Sequence, residues 1–386
     1  MSASPHRFIW FDFIRGLSAI AVCASHLRAA MFIDHSKLAS SDTFEKIFYV
    51  ATGLGHQSVL VFFVLSGFFV GRSVLRAGEN FRIGSYAIAR LSRLWIVLVP
   101  ALILTAVVDH VIGILAPAAL TGAFQQIWSS GPVSSDEYAD SALNFFANLL
   151  FLQTVAAPVF GTNGPLWSLA NEFWYYVMFP LCLLAFGLIG STRYGGRPVL
   201  RMAFGTLALG LLLWLPSAIT SAYPVWLLGL VIHFLVDRLD LTKRRITLGA
   251  GIALFIAALA YSKMTDLHAQ LGIPPDFLIG IGFCVLCVAL ANMPQPRRPK
   301  SVFVRASHAM SSVSYSLYLV HFPFVILIGA TLHGSQRMVP NAVGLAQFAG
   351  WMVVLMLIGA GFWWLFERRT EVLRKAVMPA FQGTRV

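Results

Sequence analysis

The stretch FIWFDFIRGLSAIAVCASHLRAAM, residues 8–31, decides the fold. It is apolar for longer than the roughly 20 residues a helix needs to cross a hydrocarbon core. Yet it carries Asp12, Arg15 and His26 within it. On a helix, Asp12, Arg15, Ala19, Cys23 and His26 recur at steps of three and four and share one stripe. Asp12 and Arg15 are spaced to pair. Arg15 and His26 stand about 16 Å apart along the axis, Arg15 toward the cytoplasm and His26 toward the outside. An ionisable side chain inside lipid costs several kcal/mol, so the stripe needs a reason. One reason is structural, an ion pair plus a histidine bonded to a neighbouring helix; the other is function. The run is too long and too charged for a cleavable signal peptide.

Similar apolar runs recur along all 386 residues, 58% of which are hydrophobic and only 11% charged. Soluble domains carry about 25% charged residues, so most of this chain cannot face water. The expected fold is all-α, a polytopic transmembrane bundle of about ten spans with both termini cytoplasmic. The spans fall near 8–31, 56–75, 92–116, 166–190, 199–215, 222–237, 246–262, 276–293, 309–331 and 345–366. The fifth and sixth are joined by a tight turn from Pro216 to Pro224. The apolar segment 142–158 sits among polar residues and reads as an interfacial or re-entrant helix. Residues 1–386 read as a single membrane domain with no appended soluble domain.

The net charge of +12 is a topology signal, not a nucleic-acid footprint. Cytoplasmic loops concentrate Lys and Arg. With ten spans, the outer segments hold only Lys37, Lys46, Lys263 and Arg337, and Arg15 and Arg28 lie in the first span. Every other Lys and Arg falls on the cytoplasmic side. The long outer loop 117–165 has none and contains Asp136, Glu137 and Asp140. Counting 142–158 as a span would spoil this asymmetry. Cys23, Cys182, Cys284 and Cys287 all lie in apolar runs, which argues against a disulfide framework. Cys284 and Cys287 form a CxxC without the further ligands a zinc site needs, so no metal is expected.

Four further segments place polar groups in or beside spans. VFFVLSGFFVGRS, residues 61–73, has Ser66, Gly67 and Gly71, which permit close helix packing. ARLSRLW, residues 89–95, sets Arg90 and Arg93 one turn apart at the mouth of the third span. Guanidinium forks suit phosphates, though arginines also anchor cytoplasmic ends. GPLWSLANEFWYYVMFP, residues 164–180, puts Ser168, Glu172 and Tyr176 on one face. A membrane carboxylate needs a partner, and Arg15, Arg28 or His26 are available. SSVSYSLYLVHF, residues 311–322, aligns Ser314, Tyr318 and His321. A satisfied core histidine and a catalytic one both fit there.

Together these segments resemble the acyltransferase 3 family of integral-membrane acyltransferases. Asp12, Arg15, Gly16 and His26 match its opening element, although Ser18 stands where the family has alanine. FFVLSG at 62–67, RLSRLWIVLVP through Arg90, Arg93 and Pro100, and LWSLANEFWYYVMFP through Trp167, Ser168, Glu172, Tyr176 and Pro180 match further elements in order. SYSLYLVHFP and the closing FER, through Ser314, Tyr315, Tyr318, His321 and Glu367, complete them.

The resemblance implies a bacterial inner-membrane enzyme. It would move an acyl group, most often acetyl, from cytoplasmic acyl-CoA to a hydroxyl of a polysaccharide, lipid-linked sugar or glycoside. Acyl-CoA would be a co-substrate and no cofactor would be tightly bound. Its partners would be the donor, a carbohydrate acceptor and membrane lipids, not nucleic acid. His26 would be the general base or proton shuttle, and Glu172 would orient it or stabilise its charged form. Arg15, paired with Asp12, would bind the donor or polarise a carbonyl, and Arg90 and Arg93 would meet the donor's phosphates. Ser66 and Tyr176 are further donor-binding candidates, and Trp167, Ser168, Tyr318 and His321 are further site candidates. The rival reading is a transporter or flippase for a sugar-containing substrate, since charged stripes also line transport pathways. Such a protein often carries inverted repeats, and the sequence has no internal repeat.

Overall fold

The computed structural model describes residues 8–38, 42–124, 128, 138–195, 197–236, 238–264, 270–294, 301–334 and 336–381. Arg7, Arg297, Arg298, Lys300, Arg385, Asp136 and Glu137, used in the charge argument, lie outside them. Among the described residues every regular element is helical. The only strand-like pairings there are isolated bridges, Phe32 with Met338, Ala139 with Phe160 and Gln153 with Ala157.

The helices are α1 (Ile9–Met31), α2 (Thr43–Ala51), α3 (Gly55–Ala77), α4 (Ile83–Leu115), α5 (Ala142–Leu149), α6 (Leu166–Ala185), α7 (Pro198–Trp214), α8 (Ser217–Leu235), α9 (Leu241–Tyr261), α10 (Pro275–Ala291), α11 (Val302–Leu332), α12 (Ala342–Leu365) and α13 (Thr370–Phe381). Each of the ten expected spans falls on one of them. Among the described residues six segments are long and apolar enough to cross a membrane: Thr43–Asn80, Ile83–Leu115, Ser217–Leu235, Thr242–Tyr261, Val302–Leu332 and Ala342–Ala376. The chain is therefore a multi-pass membrane protein. α7 and α10 are apolar but 17 residues long, the short end of what spans a bilayer. α1 and α6 carry the polar stripes. The most apolar window of Val302–Leu332 is 78% buried and that of Thr242–Tyr261 only 11%, so α11 is packed nearly all round and α9 turns an apolar surface outward.

Three expectations need correction. The 142–158 helix is only α5, ending at Leu149. Beyond it Phe151 and Thr154 take φ of 59° and 61°, which a helix cannot accommodate. The cause is a pair of inward-facing asparagines that bond loop backbone. Asn148 Nδ2 donates to Pro158 O at 3.0 Å and its Oδ1 accepts from Phe160 N at 3.0 Å. Asn144 Nδ2 donates to Ala139 O at 2.7 Å. Second, the turn between α7 and α8 ends at Pro216, and Pro224 lies inside α8. Third, α4 begins at Ile83 and α11 at Val302. Arg90 is thus about 10 Å inside its helix, because good helix formers such as Ala, Leu and Arg extend a helix past its apolar run.

The chain divides into two compact units. The first comprises Met1–Gly16, Gln57–Tyr86 and Asn171–Ser311; the second comprises Leu17–His56, Ala87–Ala170 and Ser312–Val386. In the first, α3 and α8 cross in near contact. A Cβ on Gly67 would sit 1.8 Å from the Trp226 carbonyl oxygen, and one on Gly229 would sit 2.2 Å from Phe68 N. Only glycine permits this approach. In the second, loop 138–165 is fastened to α4 by Asp109, which is 2% exposed. Asp109 accepts from Thr162 N at 2.8 Å and Thr162 Oγ1 at 2.5 Å.

Candidate functional site

In the second unit, α1 and α11 bring His26 and His321 together. His26 Nδ1 lies 2.9 Å from His321 Nε2, and the rings are parallel to within 5°. His321 Nδ1 lies 3.0 Å from Leu317 O and 2.8 Å from Tyr318 O. Carbonyl oxygens only accept, so Nδ1 of His321 carries a hydrogen. In the neutral ring its Nε2 is then the bare acceptor, and His26 Nδ1–H must donate to it. That leaves the lone pair of His26 on Nε2. Nε2 has no hydrogen-bond partner among the described residues and is not sealed from solvent. His321 is 1% exposed and His26 half-buried, so only His26 can meet a reactant. The edge of Phe322 closes one side of it, with ring centroids 4.8 Å apart.

Pro323 shapes this part of α11. It has no N–H, so it orphans the carbonyl of Leu319 one turn before it. Asn163 Nδ2 donates to that carbonyl at 2.9 Å and to Thr105 Oγ1 at 3.1 Å. The loop residue next to Thr162 thus satisfies the carbonyl two residues before His321. Ser168 Oγ and Tyr318 OH are hydrogen-bonded at 2.6 Å, and Tyr318 OH also donates to Pro165 O at 3.2 Å. Glu367 accepts from the Ser316 backbone N–H at 3.2 Å and from its hydroxyl at 2.6 Å. Ser314 is buried, and Trp167 is half-buried in the first turn of α6. Arg90 and Arg93 stand one turn apart on α4, Arg90 half-buried and Arg93 exposed.

The first unit holds two more networks. Asp12 Oδ1 accepts from Ser311 Oγ at 2.8 Å and from Arg15 Nη2 at 3.4 Å. Arg15 Nε donates to Ser311 Oγ at 2.8 Å. His308 Nδ1 lies 3.2 Å from Asp12 Oδ2. Gly16 makes this contact between α1 and α11 attainable, since a Cβ there would lie 2.4 Å from Met310 Cβ. In the second network Glu172 Oε1 accepts from Ser66 Oγ at 2.7 Å and from the Tyr176 hydroxyl. Trp226 Nε1 donates to Ser66 Oγ at 3.2 Å across the Gly67 crossing. Glu172 Oε2 has no partner among the described residues and is reachable by solvent. Pro180 orphans the carbonyl of Tyr176, which Tyr86 OH caps at 2.9 Å.

The structure thus joins His26 to His321, Ser168 to Tyr318, Asp12 to Arg15, and Ser66 to Glu172 and Tyr176. Glu172, offered a cationic partner by the sequence, is instead held by hydroxyls. Sequence reasoning missed Ser311, His308, Trp226 and Asn163. Extending the His321 stripe two turns backward along α11 would have found the first two. Trp226 and Asn163 carry no local signal. Among the described residues no three His, Cys, Asp or Glu meet as a metal-ligand set.

A family model described as an acyltransferase domain, acyltransferase 3, matches residues 8–368. No curated protein and no solved structure matches the chain.

Proposed function

The chain belongs to the acyltransferase 3 family, and from that premise we propose that it moves an acetyl group from cytoplasmic acyl-CoA to a hydroxyl of a carbohydrate acceptor. The observation that carries this reading is the open Nε2 of His26, left bare by the hydrogen bond to His321. A base must present its lone pair to the proton it removes. His26 Nε2 takes the acceptor hydroxyl's proton as the oxygen attacks the thioester carbonyl. The tetrahedral adduct then expels the coenzyme A thiolate, which recovers the proton from Nε2–H. The products are the acetyl ester and free coenzyme A. His321 is a positioning residue that fixes the tautomer and accepts a stronger hydrogen bond once His26 is charged, so we assign it the orienting part.

Arg90 and Arg93 are assigned to the donor's phosphates, which guanidinium groups grip as forks. By itself, the first unit offers the Asp12–Arg15–Ser311 network, with Arg15 as hydrogen-bond donor, and the Ser66–Glu172–Tyr176 network, with Oε2 of Glu172 open. We further propose ten spans with both termini in the cytoplasm of a bacterial inner membrane, supported by the ten coincident helices and the one-sided arginines. The transporter reading finds no support.

The test is incubation of the purified, full chain with radiolabelled acetyl-CoA and a panel of glycans. Wild type should transfer label and His26→Ala should not. Absence of transfer by folded wild type from any acyl-CoA would refute the proposal.

A further inference from the structure

Two residues beyond His26, Arg28 ends α1 without an ion pair of its own among the described residues. Its guanidinium lies over the Tyr49 ring, 5.3 Å from the centroid. Its Nε is buried without a hydrogen-bond partner. Both terminal nitrogens remain reachable, and among the described residues neither makes a hydrogen bond. The nearby acid is already taken. Asp34 Oδ2 accepts from Arg337 Nη2 at 2.9 Å and Oδ1 from Arg337 Nη1 at 3.3 Å, and Arg337 also donates to Ala29 O at 3.1 Å. Arg28 and Arg337 therefore share one carboxylate, and this end of α1 keeps an uncompensated positive charge. A cation in the last turn complements the helix dipole, but a lysine turned to solvent would do that more cheaply. Arg28 instead sits over an aromatic ring with its Nε buried, and its fork stays open. Its charge also lies within electrostatic reach of the His26 ring.

We propose that Arg28 is a specificity residue that binds an oxyanion carried by the acceptor, a carboxylate or phosphate on the sugar, beside the hydroxyl that His26 deprotonates. This rests on the acyl-transfer reading and adds the acceptor's chemical class to it. A planar fork meets a carboxylate or phosphate through two parallel N–H bonds, whereas a neutral sugar offers no such pairing.

The test compares methyl glucuronide with methyl glucoside, which differ in the carboxylate. Binding to the full chain without donor is measured by calorimetry in phosphatidylcholine nanodiscs, for wild type, Arg28→Gln and Arg28→Lys. Wild type should bind the glucuronide about tenfold or more tightly than the glucoside. Arg28→Gln should erase the preference, and Arg28→Lys should keep part of it. Glucose 6-phosphate is the phosphate arm and should behave as the glucuronide if the anion is read as such. Equal binding of charged and neutral sugars by wild type, or a preference surviving in Arg28→Gln, overturns the proposal. So does a preference that phosphatidylglycerol in the disc abolishes, which assigns Arg28 to a lipid headgroup. Adding acetyl-CoA separates the two readings. Selective binding without transfer defeats acyl transfer and leaves the anion site standing. Transfer to both sugars alike, unchanged in Arg28→Gln, does the reverse.

Discussion

Replacing His321 by phenylalanine removes the acceptor for His26 Nδ1–H while keeping a flat ring of similar size in a site that is 1% exposed. In the ground state the lost hydrogen bond joins two neutral rings. In the transition state of the proposed transfer His26 would be charged, and hydrogen bonds to charged groups are worth about 1.5–3 kcal/mol. At about 1.36 kcal/mol per tenfold, kcat should fall roughly 10- to 150-fold, with little change in KM for either substrate. The loss grows further if the freed ring moves its hydrogen to Nε2, which turns the base into a donor. His321→Gln sets an amide oxygen near the place of Nε2, 2.9 Å from His26 Nδ1, and should recover most of the lost rate. The assay is steady-state transfer of labelled acetyl to a carbohydrate acceptor, with thermal unfolding as the folding control. A folded His321→Phe enzyme with wild-type kcat, or a His321→Gln enzyme as slow as His321→Phe, would refute the tautomer argument.

Other outcomes follow from the same contacts. Gly67→Ala forces a Cβ to 1.8 Å from backbone and should cost about 1–3 kcal/mol or more, seen as a lower unfolding temperature in detergent. Gly84→Ala, with nothing within 4 Å of its Cβ, should leave that temperature unchanged or raise it; equal losses at both positions would sink the close-crossing account. Arg93→Ala should cut the preference for acetyl-CoA over acetyl-pantetheine, which lacks the nucleotide phosphates, by about tenfold, and an unchanged ratio would show that Arg93 only anchors its helix. Asp109→Ala removes the buried acceptor for both Thr162 donors, an unpaired-group cost of about 1–3 kcal/mol, and should speed proteolysis within loop 138–165. A cleavage pattern like wild type's would mean the clasp is not what holds the loop.

The helices were legible because apolar length is a property of the chain alone, and each of the ten expected runs falls on a helix, six segments among the described residues being long and apolar enough to cross a membrane. The ends of α4 and α11 were not, since helix continues through Arg90 or His308 wherever backbone bonding allows it, whatever the solvent. Of the polar networks, Asp12–Arg15 and Glu172–Tyr176 were visible as residues three or four apart on one helix, whereas Ser66 reaches Glu172 from another helix. The partner of His26 was named only as one member of another stripe. Nothing local relates residue 26 to residue 321, and hydrogen-bond direction emerges only once Leu317 and Tyr318 carbonyls are seen behind His321. The 142–158 segment misled for a similar reason. Its apolar residues continue, but Asn148 spends its amide on the following loop, and chain composition does not record where a side chain reaches.

The group behind His26 is another imidazole, and that choice has an energetic consequence. A carboxylate there would install a permanent anion within the bundle, where desolvation costs several kcal/mol and is recovered only if a cation stays beside it. Two rings sharing one proton across 2.9 Å rest without net charge, so the idle protein carries no ionic burden at this spot. Under the proposed transfer, polarity would arise there only while a proton is in transit, and it would vanish when the leaving thiolate took that proton away.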